Sequence, residues 1–247
     1  MIRAGLFIAA ALGFLLSISV GKTTIAPSLW LSGGPETLIL FELRLPRAVL
    51  GLGVGAALGL SGGVLQGFLR NPLADPTVVG VSSSAALGGV AAILLGLAPF
   101  PLAMTAAGLS ILVLMGLSGR SGGPLGFILA GMVLATLSGA LTAFLLSIAP
   151  NPYATTEILS WLMGALTDRG WPDVVRGVPL IVAGCAVLLT CGRSLDALTL
   201  GEDAAKSLGV RLDRLKVAIA LGTGLAVGAS VAVTGVVGFV GLIVPHF

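Results

Sequence analysis

Two stretches of this sequence could present a serine nucleophile. Gly59-Leu60-Ser61-Gly62 and Gly116-Leu117-Ser118-Gly119 share a short Gly-x-Ser-Gly pattern of the kind intramembrane serine proteases use. That chemistry needs a histidine base within hydrogen-bond reach of the hydroxyl. The only histidine, His246, stands behind a proline at the chain end. With 37 glycines in the chain, chance matches are expected, and proteolysis is a minor alternative. Gly21-Lys22-Thr23-Thr24 looks like the end of a phosphate-binding loop. The glycine due five residues earlier is Leu16, and an apolar helical run precedes it in place of a strand. Cys185 and Cys191 are six residues apart on different helix faces, unsuited to a local disulfide or a zinc pair, and read as packing residues. No catalytic residue, metal site or cofactor is expected.

The remaining candidates are charged groups at the ends of apolar runs. Gly201–Val210, GEDAAKSLGV, has helix formers between glycines. Glu202 and Asp203 near its start suit a helix dipole. Composition alone makes it a solvated amphipathic loop. Arg44 and Arg47 flank Leu45-Pro46, where interfacial arginines snorkel. Asn71 and the prolines of Arg70–Pro76 predict a turn.

Composition dictates what positions these groups. Hydrophobic residues make up 56%, charged residues 9%, and the mean hydropathy is +1.11. A soluble chain of this size could not cover its surface with so few charges. Abundant glycine suits helices packed closely in lipid. A net charge of +3, spread along the chain, argues against nucleic acid and fits basic cytoplasmic loops.

The expected fold is all-α, a polytopic transmembrane bundle forming one domain over 1–247. Its first span is Ala4–Val20, preferred to a signal peptide. A polar connection, Lys22–Leu43, carries Trp30 as an interfacial anchor. The second span, Ala48–Leu69, holds no ionisable group and is long enough to cross a bilayer; proline elbows bound it at Arg44–Arg47 and Arg70–Pro76. Further spans are expected at Val78–Leu97, Leu102–Leu117, Leu125–Ile148, Val174–Cys191 and Val217–Val233, with an eighth apolar segment from Gly235. Between the fifth and sixth, Ala149–Asp173 holds Trp161, Trp171 and a short interfacial helix at Glu157–Leu166. An ion-coupled secondary transporter, a second alternative, would place a charge at mid-membrane depth, and these spans have none.

Alternating sides from a cytoplasmic N-terminus puts Arg3, Arg70, Arg120, Arg193, Lys206, Arg211, Arg214 and Lys216 inside. Lys22, Arg44, Arg47, Arg169 and Arg176 fall outside, a bias in the positive-inside direction. Arg211-Leu212-Asp213-Arg214, followed by Gly222, Gly224 and Gly228, echoes Arg44-Leu45-Pro46-Arg47 followed by Gly53, Gly55 and Gly59. An odd number of spans separates the copies, so the repeat is expected to be inverted. The first repeat covers 44–150, the connection 192–216 is cytoplasmic, and 211–247 opens a second repeat that the chain does not finish.

Arg44-Leu45-Pro46-Arg47, Gly55-Ala56, Ser61-Gly62, Gln66, Arg70-Asn71-Pro72-Leu73-Ala74-Asp75-Pro76 and Gly241-Leu242-Ile243-Val244-Pro245-His246 together resemble the FecCD family. These are permease subunits of ATP-driven importers for iron chelates, haem and cobalamin. The resemblance implies an inverted-repeat bundle of about ten spans, about seven or eight of them present here. It implies a separate cytoplasmic ATPase subunit, an external solute-binding protein and a second permease copy or paralogue, in a bacterial inner membrane. In that family Gly201, Glu202, Ala204, Leu208 and Gly209 match the coupling helix that docks on the ATPase. Arg44 and Arg47 match arginines that pair with acidic residues of the binding protein. Ser121, Gly122 and Gly123, before Pro124, fall at the inner gate. Thr136, Ser138 and Thr142 lie on the helix lining the pathway. The implied activity is import of an iron–siderophore, haem or cobalamin by alternating access.

Overall fold

The computed structural model describes residues 2–21, 24–30, 33–119 and 123–247, and among these every regular element is helical. In chain order the α-helices are α1 (Ile2–Ser19), α2 (Pro35–Leu38), α3 (Leu45–Leu69), α4 (Val81–Leu94), α5 (Pro99–Ser118), α6 (Pro124–Ser147), α7 (Pro152–Leu162), α8 (Trp171–Leu189), α9 (Gly192–Leu198), α10 (Glu202–Ser207), α11 (Leu212–Thr234) and α12 (Val240–Ile243). A π-helical turn, Ile39–Arg44, joins α2 to α3, and 3₁₀ turns cover Pro27–Leu29, Pro76–Val79 and Val244–His246. Five stretches are long and apolar enough to cross a membrane: Pro35–Leu69, Pro99–Ser118, Pro124–Ser147, Trp171–Leu189 and Leu212–Thr234. Ala4–Ser19 and Val81–Leu94 are apolar but shorter.

Helix α11 is the axis of the bundle, packed against α8, α5, α3 and α4. Its small side chains are the reason. A Cβ on Gly184 of α8 would run into the α11 backbone at Gly222 and Ala226, so the two helices touch main chain to main chain. Gly224 leaves room for Ile111 of α5, and Gly228 for Ala107. Lipid gives apolar helices no hydrophobic reason to associate, so close packing of this kind carries the association. Large side chains fill the remaining gaps, with Phe68 of α3 and Phe127 of α6 edge to face at 5.5 Å, both buried.

Four expectations change. Arg44–Arg47 is not an elbow, because α2, the π turn and α3 run on as one 35-residue helical stretch from Pro35. Proline is tolerated there at the start of α3, where the π turn shifts the bonding and Leu45 N–H donates to Leu40 O. The third span shrinks to the 14 residues of α4, about 21 Å long against a hydrocarbon core of about 30 Å. Gly80, at φ +80°, separates it from the Pro76–Val79 turn. At its other end Gly96 turns left-handed (φ +67°) while Leu97 N–H bonds Ala92 O at 2.8 Å.

The interfacial helix starts earlier, at Pro152, because the Asn151 side chain accepts from Ala154 N–H at 2.9 Å. It is held, not floating: the Trp161 ring occupies the hollow left by Gly89 of α4, and Ala165 N–H bonds Thr234 O at 2.7 Å. Finally, the apolar segment after Gly235 is not a span. Gly235 at φ +76° ends α11, and the chain then lies as short turns against α3, its Gly241 carbonyl in the notch at Gly62. Gln66 Nε2 clamps it, donating to Leu242 O at 3.2 Å and to Ala74 O at 3.3 Å.

Arg70–Pro76 is the expected turn. Arg70 ends α3 in the left-handed region, Asn71 Oδ1 accepts from Leu73 N–H at 3.0 Å, and Asp75 Oδ1 caps the next turn by accepting from Thr77 N–H at 2.9 Å.

Candidate functional site

One end of the bundle gathers α9, α10 and the starts of α6 and α11. Helix α10 needs its flanking glycines: Gly201 at φ +110° and Gly209 at φ +88° adopt backbone that side-chain-bearing residues avoid. Between them Ala205 is fully buried and anchors the turn, while Ala204 is half-buried. Glu202 and Asp203 sit in the first turn and Lys206 in the last, matching the dipole, with Asp203 and Lys206 paired at 3.3 Å on the surface. Leu208 is 65% exposed and Leu200, just before α10, 69%. A short charged helix thus stands out from the bundle between exposed leucines.

Behind α10 a cavity of about 540 Å³ is lined by Glu202, Lys206, Arg211, Lys216, Phe68 and Gly123. Glu202 reaches the start of α6: its Oε1 lies 3.4 Å from where a Cβ of Gly123 would stand. Ser121 and Gly122 lie outside the described residues. Between α9 and the start of α11 a groove of about 690 Å³ carries Arg193, Arg211 and Arg214.

The polar residues of α6 diverge. Ser138 is buried and its hydroxyl meets that of Ser84 on α4 at 2.9 Å. Thr136 is exposed and donates back to Met132 O at 2.8 Å. Thr142 donates to Ser138 O at 2.8 Å and edges a small cavity of about 180 Å³ with Thr77, Ser82 and Val236. The outer face of α6 is otherwise apolar and open, through Leu129, Met132, Val133 and Leu137.

The arginine pair also divides. Arg44 is half-buried, and its Nη1 donates to Ile18 O at 3.0 Å and Ser19 O at 2.8 Å, covering the carbonyl end of α1. Arg47, in the first turn of α3, is exposed.

Residues 9–247 match the FecCD transport family. The chain belongs to that family. Among its relatives, a cobalamin import system permease protein of Halobacterium salinarum is 42% identical over 87% of this chain and 60% of its own length. An Fe(3+)-citrate import system permease protein of Bacillus subtilis is 35% identical over 95% of this chain and 72% of its own. A solved chain described as the inward-facing conformation of a metal-chelate-type ABC transporter superposes with a TM-score of 0.90 at 32% identity, covering 99% of this chain and 79% of that one. The chain therefore spans between three fifths and four fifths of the length of these three proteins.

Neither serine pattern has a protease's geometry in this FecCD chain. Ser61 is fully buried with an unpartnered hydroxyl, Ser118 returns its hydroxyl toward Met115 O at 3.5 Å, and His246 sits 3.2 Å from Pro72 O. The ion-coupled alternative fares no better. Among the described residues the one buried charged side chain is Lys216, near the start of α11 and not at its middle. Nothing in the sequence around Lys216 separates it from the other basic residues of that connection; its Nζ reaches Gly119 O, just past the end of α5.

Proposed function

We propose that this chain is a membrane-spanning permease subunit of an ATP-binding-cassette importer, carrying a bulky metal chelate into the cytoplasm by alternating access. The observation that carries this reading is the α9–α10 element. It is anchored by Ala205, bounded by obligatory glycines and edged by exposed Leu200 and Leu208. That is a surface for docking a soluble partner. The partner is a separate ATPase subunit, met by Gly201, Glu202, Ala204, Leu208 and Gly209. ATP binding closes two such subunits, α10 moves, and α6 reorients past the gate at Ser121, Gly122 and Gly123; hydrolysis resets the cycle.

The exposed arginine, Arg47, is the docking group for an external solute-binding protein, and Arg44 supports it by fixing α1 beside α3. Thr136 and Thr142 lie on the pathway helix, while Ser138 holds that helix to α4. A second permease copy or paralogue completes the pathway across the open face of α6. The membrane is the plasma membrane. The cargo is cobalamin ahead of a ferric siderophore or haem, since cobalamin import is the named activity of the relative 42% identical to this chain.

The experiment is capture of the partner ATPase from membranes by the tagged chain, with uptake of labelled cobalamin, ferric siderophore and haem in a strain lacking the gene. Deleting Gly201–Val210 is expected to abolish both capture and uptake. Unchanged capture after that deletion would refute the docking assignment, and uptake of an iron chelate alone would reassign the cargo.

A further inference from the structure

We infer that Lys216 and Glu202 form a two-ended electrostatic latch tying the α9–α11 segment to the end of α5 and the start of α6, which makes Lys216 a positioning residue for coupling. The functional consequence rests on the permease reading above; the latch itself does not.

Lys216 is only 4% exposed, in the second turn of α11. A lysine at a membrane surface ordinarily extends its ammonium to water. This one turns inward. Its Nζ is 3.1 Å from Asp213 Oδ1 and donates to Gly119 O at 3.4 Å. Gly119 directly follows α5, at φ +63°, so the ammonium sits at the carbonyl end of that helix. A helix C-terminus carries partial negative charge and favours a cation.

The far end of the same connection is α6, whose first residue, Pro124, follows Gly123 with no side-chain cap. Glu202 is the group there, with Oε1 3.4 Å from the Cβ position of Gly123. A helix N-terminus favours an anion. The α9–α11 segment therefore offers a cation to the end of α5 and an anion to the start of α6, each the sign its helix end prefers. Lys216, Glu202 and Gly123 line one cavity of about 540 Å³. Without the latch, displacement of α10 would be absorbed in that cavity. With it, displacement of α10 draws α6 along.

The test uses the chain in nanodiscs, with spin labels at Ser207 of α10 and Leu125 of α6, both exposed, and a control pair at Leu97 and Tyr153. A narrow Ser207–Leu125 distance distribution is expected to broaden in Lys216→Met, to be restored in Lys216→Arg, and the control pair to stay unchanged. With the ATPase and binding protein added, cargo moved per ATP should fall about tenfold in Lys216→Met, the scale of one lost charge-assisted hydrogen bond. Lys216→Arg should recover it. An unchanged distribution in Lys216→Met overturns the latch. If Lys216→Met also disturbs the control pair, Glu202→Gln takes its place in the distance measurement: broadening supports the latch and an unchanged distribution overturns it. Should the wild-type chain capture no ATPase, the permease reading fails while the distance measurement still decides the latch.

Discussion

The contact between α8 and α11 makes the sharpest demand on this bundle, and Gly184→Ala tests it with one methyl group. A Cβ at 184 would lie 2.7 Å from Gly222 O and 2.8 Å from Ala226 Cβ, and nearer still to the Ala226 amide nitrogen. Ordinary contact begins near 3.4 Å, so α8 must withdraw by about 0.7 Å or more. None of these atoms ends a flexible side chain, so none can rotate aside. A gap of that size forfeits about a quarter to a half of each dispersion contact along the seam. That seam includes Leu188 against Gly222 and Val233 against Gly177. The expected loss is about 2–3 kcal/mol, the upper part of the range for overpacking. Gly108→Ala on α5 is the control, because nothing lies within 4 Å of its Cβ position. Removing a mid-helix glycine there should stabilise by roughly 0.5–1 kcal/mol. Equilibrium unfolding in mixed micelles, followed by far-ultraviolet circular dichroism, should separate the two variants by about 3 kcal/mol. Adding Ala226→Gly should recover only part of the loss, since the backbone clashes persist. Equal stabilities for Gly184→Ala and Gly108→Ala would refute the argument that α8 and α11 meet main chain to main chain.

Other contacts carry smaller signatures. A double-mutant cycle on Ser84→Ala and Ser138→Ala should return a coupling of about 0.6 kcal/mol, and a value near zero would mean the hydroxyls do not bond across α4 and α6. Arg44→Gln should leave the Ile18 carbonyl uncovered, Ser19 O keeping its bond from Ile25 N–H, and should speed amide exchange in the last turn of α1 with α11 unaffected; uniform exchange would argue against the cap. Gln66→Leu should strand the carbonyls of Ala74 and Leu242, at about 1–3 kcal/mol each, and open the 236–247 segment to limited proteolysis. Resistance equal to wild type would show that the glycine notch at Gly62 suffices to hold that segment.

How much of the fold is legible in the sequence depends on where the controlling interaction lies. Composition gives a membrane chain, because 9% charge leaves a soluble protein no surface, and uncharged runs of spanning length such as Ala48–Leu69 make it helical. Local chemistry gives the Arg70–Pro76 turn, since Asn71 and Asp75 bond backbone only two residues on. It also gives the glycine-bounded α10, whose φ values are set at Gly201 and Gly209 themselves. Where the deciding partner is distant, the local signal misleads. Pro46 reads as an elbow, yet a π turn starting at Ile39 carries the helix through it. The segment after Gly235 has a span's hydropathy, but its path is set by Gln66 and Gly62, well over a hundred residues earlier.

The candidate site divides along the same line. Gly201, Glu202 and Gly209 announce a protruding helix through their own backbone and charge preferences. Arg44 and Arg47 look equivalent in sequence, and only the carbonyl end of α1 tells them apart by occupying Arg44. Ser138, Thr136 and Thr142 likewise share one helix and one chemistry, and a single hydroxyl on α4 removes Ser138 from any open face. Lys216 is the extreme case. Its neighbours in sequence mark it as a loop cation, while it is buried and its Nζ reaches Gly119 O beyond the end of α5. Residues whose role is to transmit motion between elements must touch the second element, so their signal lies in pairs of positions and not in either position alone. A loop that only binds a partner can be read from one stretch, whereas a latch cannot.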